Sequence, residues 1–261
     1  MNETLLQVEH LTIKLKNQNQ ELVRDISFSL KEAGALTLLG QSGSGKTLTC
    51  RAILGLLNRS AFQVDGKILF NGNSLLQIKE KEKSKYYGSQ IAFVPQNPMT
   101  ALDPSRKVGV QMAEFLRLHQ KLKKKDALSL YEQAMFRAGL TDTNRILNSR
   151  PYQLSGGMLQ RALIALAIAG KARLVIADEP TTALDAVHRD QAVEQFLKLQ
   201  EQGCAILVVT HDFDVARHMG GHVLIMKEGR MVEQGGAKEV LQNPKAGYTR
   251  ELIDAIHLGW E

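Results

Sequence analysis

Hydrophobic residues recur along this chain in short runs separated by polar, glycine-containing breaks. Near the N-terminus Leu11, Ile13 and Leu15 alternate with polar neighbours, and Ile26, Phe28 and Leu30 do the same. Alternation of period two predicts half-buried strands. Ala35 to Leu39 (ALTLL), Ile91 to Val94, Leu174 to Ala177 (LVIA) and Ala205 to Val209 (AILVV) are instead continuous apolar runs of strand length. Such runs suit strands covered on both faces. Between them, apolar residues fall three and four apart over Thr47 to Leu57, Val110 to Leu118, Ala127 to Ala138, Gly157 to Ala169 and His188 to Gln202, which predicts helices. Strands alternating with helices predict an α/β fold with a parallel sheet. Gly88 to Ala169 is mostly helical and more charged, so a helical subdomain inserted between sheet strands is expected.

Composition narrows the class. The 261 residues are 44% hydrophobic and 23% charged, an ordinary globular balance that excludes a disordered or fibrous chain. The longest apolar stretch, Ala162 to Gly170, is about half of what a membrane span needs. The start, MNETLLQVEH, has neither the basic nor the apolar region of a signal peptide. Two cysteines, Cys50 and Cys204, make no disulfide framework and fit a reducing compartment. The expectation is a cytosolic protein. Thirty-three basic against 27 acidic residues give +6, which admits phosphates, anionic lipid or nucleic acid as partners. The basic runs KEKEKSK (Lys79 to Lys85) and KLKKK (Lys121 to Lys125) have no interleaved aromatics on which bases could stack, so nucleic acid is not expected.

The first chemical signal is Gly40 to Thr47, GQSGSGKT, between an apolar strand and a helix. It fits the phosphate-binding loop G-x-x-x-x-G-K-[ST]. Gly40, Gly43 and Gly45 let backbone N–H groups of the loop, with Gln41, Ser42, Ser44 and the following Leu48, turn toward a phosphate at a positive helix N-terminus. Lys46 can reach the β- and γ-phosphates and the Thr47 hydroxyl can coordinate magnesium. The loop alone leaves GTPases, kinases, helicases and transporter ATPases open. LVIADE (Leu174 to Glu179) then ends a buried strand in two carboxylates. Asp178 falls at the carboxyl edge of the sheet, where it would hold magnesium, and Glu179 would face the γ-phosphate and orient the attacking water.

Ser155, Gly156 and Gly157, in LSGG, open the helix before that strand and form a second phosphate-binding device. One nucleotide does not need two helix N-termini from one chain. A head-to-tail dimer, with each LSGG capping ATP on the partner's loop, is the economical arrangement.

In their order, GQSGSGKT, VPQNP with Gln96, LSGGMLQR, LVIADEP, TTALD ending at Asp185 and VVTHD with His211 make the chain resemble the ATP-binding subunit of an ABC transporter. The resemblance covers nearly the whole chain. It implies a RecA-like core with N-terminal antiparallel strands over 1–96 and 162–235, a helical subdomain over 97–161 carrying the signature, and a short tail over 236–261. It also implies ATP and Mg²⁺ as cofactors, with Gln96 contacting the metal, Asp185 communicating across the dimer and His211 holding the γ-phosphate. Implied partners are a second ATPase subunit (a paralogue or a second copy), two membrane permeases and an extracytoplasmic solute-binding protein. The location implied is the cytoplasmic face of the cell membrane.

Two positions depart from the family pattern: no aromatic stands near Leu15 to stack on adenine, and Met158 replaces the usual glutamine after LSGG. PQNPMTALDP, SGGMLQR and the segment GRMVEQGGAKEVLQNPKAGYTRELI resemble the oligopeptide, dipeptide and nickel importers. No cysteine cluster follows Cys204, which favours nickel or a metal chelate over peptide. A soluble ABC ATPase acting on ribosomes or DNA is a remote alternative. Met99, Leu102 and Val108 to Met112 are expected to offer apolar surface to a permease helix.

Overall fold

The computed structural model describes residues 3–182 and 186–258. It divides into two units, Met1–Ile78 with Ala205–Glu261, and Lys79–Cys204. The first unit opens with β1 (Thr4–Leu15), β2 (Gln20–Lys31), β3 (Ala35–Leu39), α1 (Lys46–Ile53), β4 (Phe62–Phe70) and β5 (Asn73–Ser74). The second contains β6 (Ile91–Val94), α2 (Val108–Gln120), α3 (Lys124–Arg137), α4 (Thr143–Asn148), α5 (Gly156–Gly170), β7 (Leu174–Asp178) and α6 (Ala186–Glu201). The chain returns to the first unit through β8 (Ala205–Thr210), α7 (Phe213–Met219), β9 (His222–Lys227), β10 (Arg230–Gly236), α8 (Ala237–Gln242) and α9 (Gly247–Leu258).

The antiparallel sheet of the first unit has the order β2-β1-β4-β5. Its inward positions switch parity: Leu6 and Val8 are buried, then Leu11 and Ile13. A period-two strand can bury both pairs only through a one-residue bulge. The shift falls between Val8 and Leu11, where His10 takes φ 50° opposite Asp25 at φ 52°. On the third strand Gly66 makes room: a Cβ there would lie 2.5 Å from the His10 carbonyl oxygen. The second sheet of this unit runs β10-β9-β3-β8. Strands β3, β8 and β9 are parallel, and every residue of β3 and β8 is buried, as their continuous apolar runs imply.

Helix α1 is shorter than its apolar pattern predicts, stopping at Ile53 rather than Leu57. Gly55 takes φ 65°, and the Gly55 and Leu56 N–H groups bond the Ala52 and Arg51 carbonyls at 3.1 and 2.8 Å. That pair of bonds is a glycine-dependent C-cap that ends the helix.

In the second unit α2, α3, α4 and α5 surround a core that includes Leu116, Met135, Ile146, Leu159 and Ala165. Tyr131 is fully buried in it and donates its hydroxyl to the Ala162 carbonyl at 2.9 Å. Val108 and Met112 belong to this core, at 0% and 1% exposure, and are not available to a permease helix. Helical periodicity cannot say whether an apolar stripe faces its own subdomain or a partner. Met99 and Leu102 are half-buried against the same core. Residues after Gly236 are not a loose tail, since Ala237, Val240, Leu241 and Leu252 pack with Leu39, Val223 and Ile225.

Candidate nucleotide site

The phosphate loop leaves β3 at Gly40. Gly40, Gly43 and Gly45 take φ 154°, 81° and 101°. A Cβ on Gly40 would lie 2.3 Å from the Met226 carbonyl oxygen, so only glycine lets the loop pass this close to β9. Gly45 is the N-cap of α1, which has no capping side chain and no acidic residue in its first turn. The N–H groups of that turn thus find no side-chain acceptor within the helix, and the positive end of its dipole faces the loop. Lys46 is 5% exposed. Its ammonium donates to the Gly40 and Gln41 carbonyls at 2.7 and 2.9 Å and to the Ser44 Oγ at 3.5 Å. A buried cation beside uncapped N–H groups makes a concave positive cradle, and a polyphosphate fits that donor set. Gln41, Ser42 and Gly43 are exposed, Ser44 is buried, and Thr47 and Leu48 are half-buried on the helix.

His211 belongs to the same unit. Strands β3 and β8 are parallel, with Leu39 opposite Thr210, so Gly40 and His211 are the next residues out of two paired strand ends. His211 is exposed, and Asp212 after it caps α7 by accepting the Asp214 and Val215 N–H groups at 2.8 and 3.4 Å.

The second unit repeats this geometry. Strands β6 and β7 are parallel with Val94 opposite Ala177, so Pro95-Gln96 and Asp178-Glu179 leave adjacent strand ends. Asp178 is 5% exposed and Gln96 is exposed. Glu179 takes φ 48°, a left-handed conformation that costs a non-glycine residue about 1 kcal/mol or more. The Thr182 hydroxyl donates to its Oε2 at 2.8 Å and fixes the carboxylate. Ser155 is the exposed N-cap of α5 and accepts the Met158 N–H at 3.2 Å. Around Gly156 a Cβ would meet nothing within 4 Å, so this helix end is open. Met158 packs on the subdomain core, which explains how a methionine stands after LSGG without disturbing the turn. Asp185 lies outside the described residues.

Two contributors escape sequence reasoning. Thr182 orients Glu179, and nothing in TTALD marks it for that task. The second is Phe62 of β4, which stands directly opposite Leu15 of β1. Ile13, two residues back, pairs with Val23, whose Cγ2 would be 3.1 Å from a Cβ on Gly45, so this strand end borders the phosphate loop. The register between β1 and β4 is non-local and left no signal.

Comparison with known proteins decides the identity. Residues 23–182, more than half of the chain, match the ABC transporter family. This chain belongs to the ABC transporter family. Its curated relatives include the metal-staphylopine import system ATP-binding protein CntD of Staphylococcus aureus (strain NCTC 8325 / PS 47). That protein is 42% identical over 96% of this chain and 92% of its own length. The dipeptide transport ATP-binding protein DppD of Lactococcus lactis subsp. cremoris (strain MG1363) is 38% identical over 97% of this chain and 74% of its own. DppD of Escherichia coli (strain K12) is 36% identical over 97% and 78%. Among solved structures, CbiO1 from Clostridium perfringens, part of the ABC transporter complex CbiONQ, superposes with a TM-score of 0.78. It is 26% identical, covering 98% of this chain and 95% of that one. The ATP-binding cassette MJ0796, in a dimeric post-hydrolysis state bound to ADP and Pi, gives 0.78 at 25% identity over 89% and 99%. The chain is therefore an ATP-binding importer ATPase with the α/β fold of ABC cassettes.

Proposed function

We propose that this ABC transporter ATPase powers uptake of a metal ion or small metal chelate, nickel included, by hydrolysing MgATP between two ATPase subunits. The observation that carries the choice of solute is the relation to the metal-staphylopine importer subunit, at 42% identity over 96% of this chain and 92% of that one. The dipeptide relatives are less identical, at 38% and 36%, and extend beyond the match, which covers 74% and 78% of their length. Dipeptide or oligopeptide import is the second reading, favoured by their 97% coverage of this chain.

In this reading the N–H groups of residues 43–48 and the Lys46 ammonium bind the β- and γ-phosphates. Thr47, Gln96 and Asp178, all oxygen ligands, suit magnesium, which neutralises phosphate charge. Glu179 accepts the proton of the water whose oxygen attacks the γ-phosphorus; the bond to the bridging oxygen breaks and ADP leaves with it. His211 holds the γ-phosphate from the neighbouring strand end. Phe62 offers adenine the ring that Leu15 lacks. The open helix end at Ser155, Gly156 and Gly157 closes over ATP on a second ATPase subunit, and Asp185 signals between the two. Two permeases and an extracytoplasmic solute-binding protein complete the importer, and the chain attaches to the cytoplasmic face of the cell membrane through the permeases. Among the described residues no helix is long and apolar enough to cross a membrane.

Uptake by cells lacking this chain tests the choice. Loss of nickel or metal-chelate accumulation, restored by the wild-type chain and not by Glu179→Gln, is expected, with dipeptide uptake unchanged. Loss of dipeptide uptake alone would overturn the metal reading.

A further inference from the structure

We infer that Tyr248, on the C-terminal helix α9, is a positioning residue for the phosphate loop. The Gln41 backbone N–H donates toward the Tyr248 hydroxyl oxygen. Tyr248 also packs against the cluster containing Leu39, the residue before Gly40. Its ring is gripped from a second side, since the Lys227 ammonium stands 4.3 Å from the ring centroid. Lys227 ends β9, and the turn that follows touches the same loop: the Gly229 N–H donates to the Ser44 carbonyl at 3.0 Å. One residue before Lys227, the Met226 carbonyl fills the space where a Gly40 Cβ would be. The contacts close a ring from Gln41 through Tyr248 and Lys227 to the hairpin turn and back to Ser44. Both flanks of the loop are thereby tied to one aromatic side chain.

The segment that delivers Tyr248 is itself pinned. Glu233 accepts the Lys245 and Ala246 N–H groups at 2.8 and 3.2 Å. Lys245 pairs with Glu239 at 2.6 Å, and Arg250 donates to the Pro244 and Lys245 carbonyls at 3.0 and 2.8 Å. Leu252 anchors the next turn in the core. A surface tyrosine with no task would not need its approach fixed at so many points. Burial raises the pKa of the hydroxyl, with the Gln41 N–H drawing it back, so the group stays neutral at physiological pH. Lys227 then acts on it through the ring face, as a cation–π contact does. The consequence reaches beyond the loop: whatever displaces α9 releases Gln41 and loosens the grip on ATP.

Tyr248→Phe deletes the oxygen and keeps the ring. Loss of one hydrogen bond at the loop should raise the Kd for ATP about threefold to tenfold. Turnover at saturating ATP in the assembled transporter should stay within about twofold, because only ground-state positioning is lost. The melting temperature should hold. Lys227→Met should shift Kd in the same direction by less. A Tyr248→Phe chain with wild-type Kd would overturn the proposal, as would a Kd that rises only together with a fall in melting temperature. If instead the wild-type chain failed to bind ATP, or Lys46→Ala bound it equally well, the loop's assignment as the ATP site would fall. Those results are distinct from a null effect at Tyr248.

Discussion

Lys46→Ala removes a cation that the resting loop already uses. Without nucleotide the ammonium is held by the Gly40 and Gln41 carbonyls at 2.7 and 2.9 Å. Binding ATP exchanges those neutral acceptors for the β- and γ-phosphates, so the lysine contributes a difference and not a whole ion pair. A unit charge pair at ~4 Å and an effective dielectric of ~20 is worth ~4 kcal/mol. Charge-assisted bonds to neutral oxygens, about 1.5–3 kcal/mol, are given up in return. The remainder, ~2 kcal/mol, corresponds to a ~30-fold weaker Kd for ATP. Titration calorimetry with ATP and AMP in parallel is the assay. AMP carries neither β- nor γ-phosphate, so its Kd should not change. The fold should survive, because alanine leaves no buried charge and is the best helix former at the start of α1. An ATP affinity within threefold of wild type would refute the reasoning, as would equal losses for ATP and AMP.

Glu179→Gln keeps the geometry that Thr182 imposes and removes the carboxylate; ATP binding should persist while turnover falls by ~10²-fold or more, read by phosphate release. Gly40→Ala would place a methyl 2.3 Å from the Met226 carbonyl oxygen. Nucleotide binding should be lost and thermal unfolding should move down, by about 3 kcal/mol in stability. Burial opposes ionisation of Glu233, yet the Lys245 and Ala246 N–H groups and the Lys245 ammonium outweigh it and hold its pKa below the usual value. A depressed folded pKa gives stability that is complete above the unfolded value of ~4.3 and fades as pH drops through the folded one. Hydrogen exchange along α9 should therefore quicken below about pH 4 before the core opens, and Glu233→Gln should show that faster exchange already at pH 7.

The phosphate loop was legible because its chemistry rests on consecutive backbone groups, and Gly40, Gly43, Gly45 and Lys46 announce that conformation wherever a strand precedes and a helix follows. The buried strands β3, β7 and β8 were legible for a similar reason, each being an unbroken apolar run. What stayed hidden depends on register. Phe62 reaches Leu15 only through pairing across 47 intervening positions of chain, and the bulge at His10 shows only as a change of parity between Val8 and Leu11. Val108 and Met112 look alike in sequence whether they face a partner or their own core, and the neighbouring helices decided it. The residues from Gly236 onward read as a polar tail because the helices there are short, and the apolar positions that bind them to β9 are few.

The most direct test is ATP-driven uptake by the purified importer in lipid vesicles, with this chain, its ATPase partner and both permeases assembled and the solute-binding protein added outside. Nickel or a nickel chelate should accumulate only with internal MgATP, and phosphate release should rise when the loaded binding protein is present. Both should vanish with Glu179→Gln. Accumulation of dipeptides and not of metal under the same conditions would contradict the proposed solute, and metal uptake undiminished by Glu179→Gln would contradict the proposed engine.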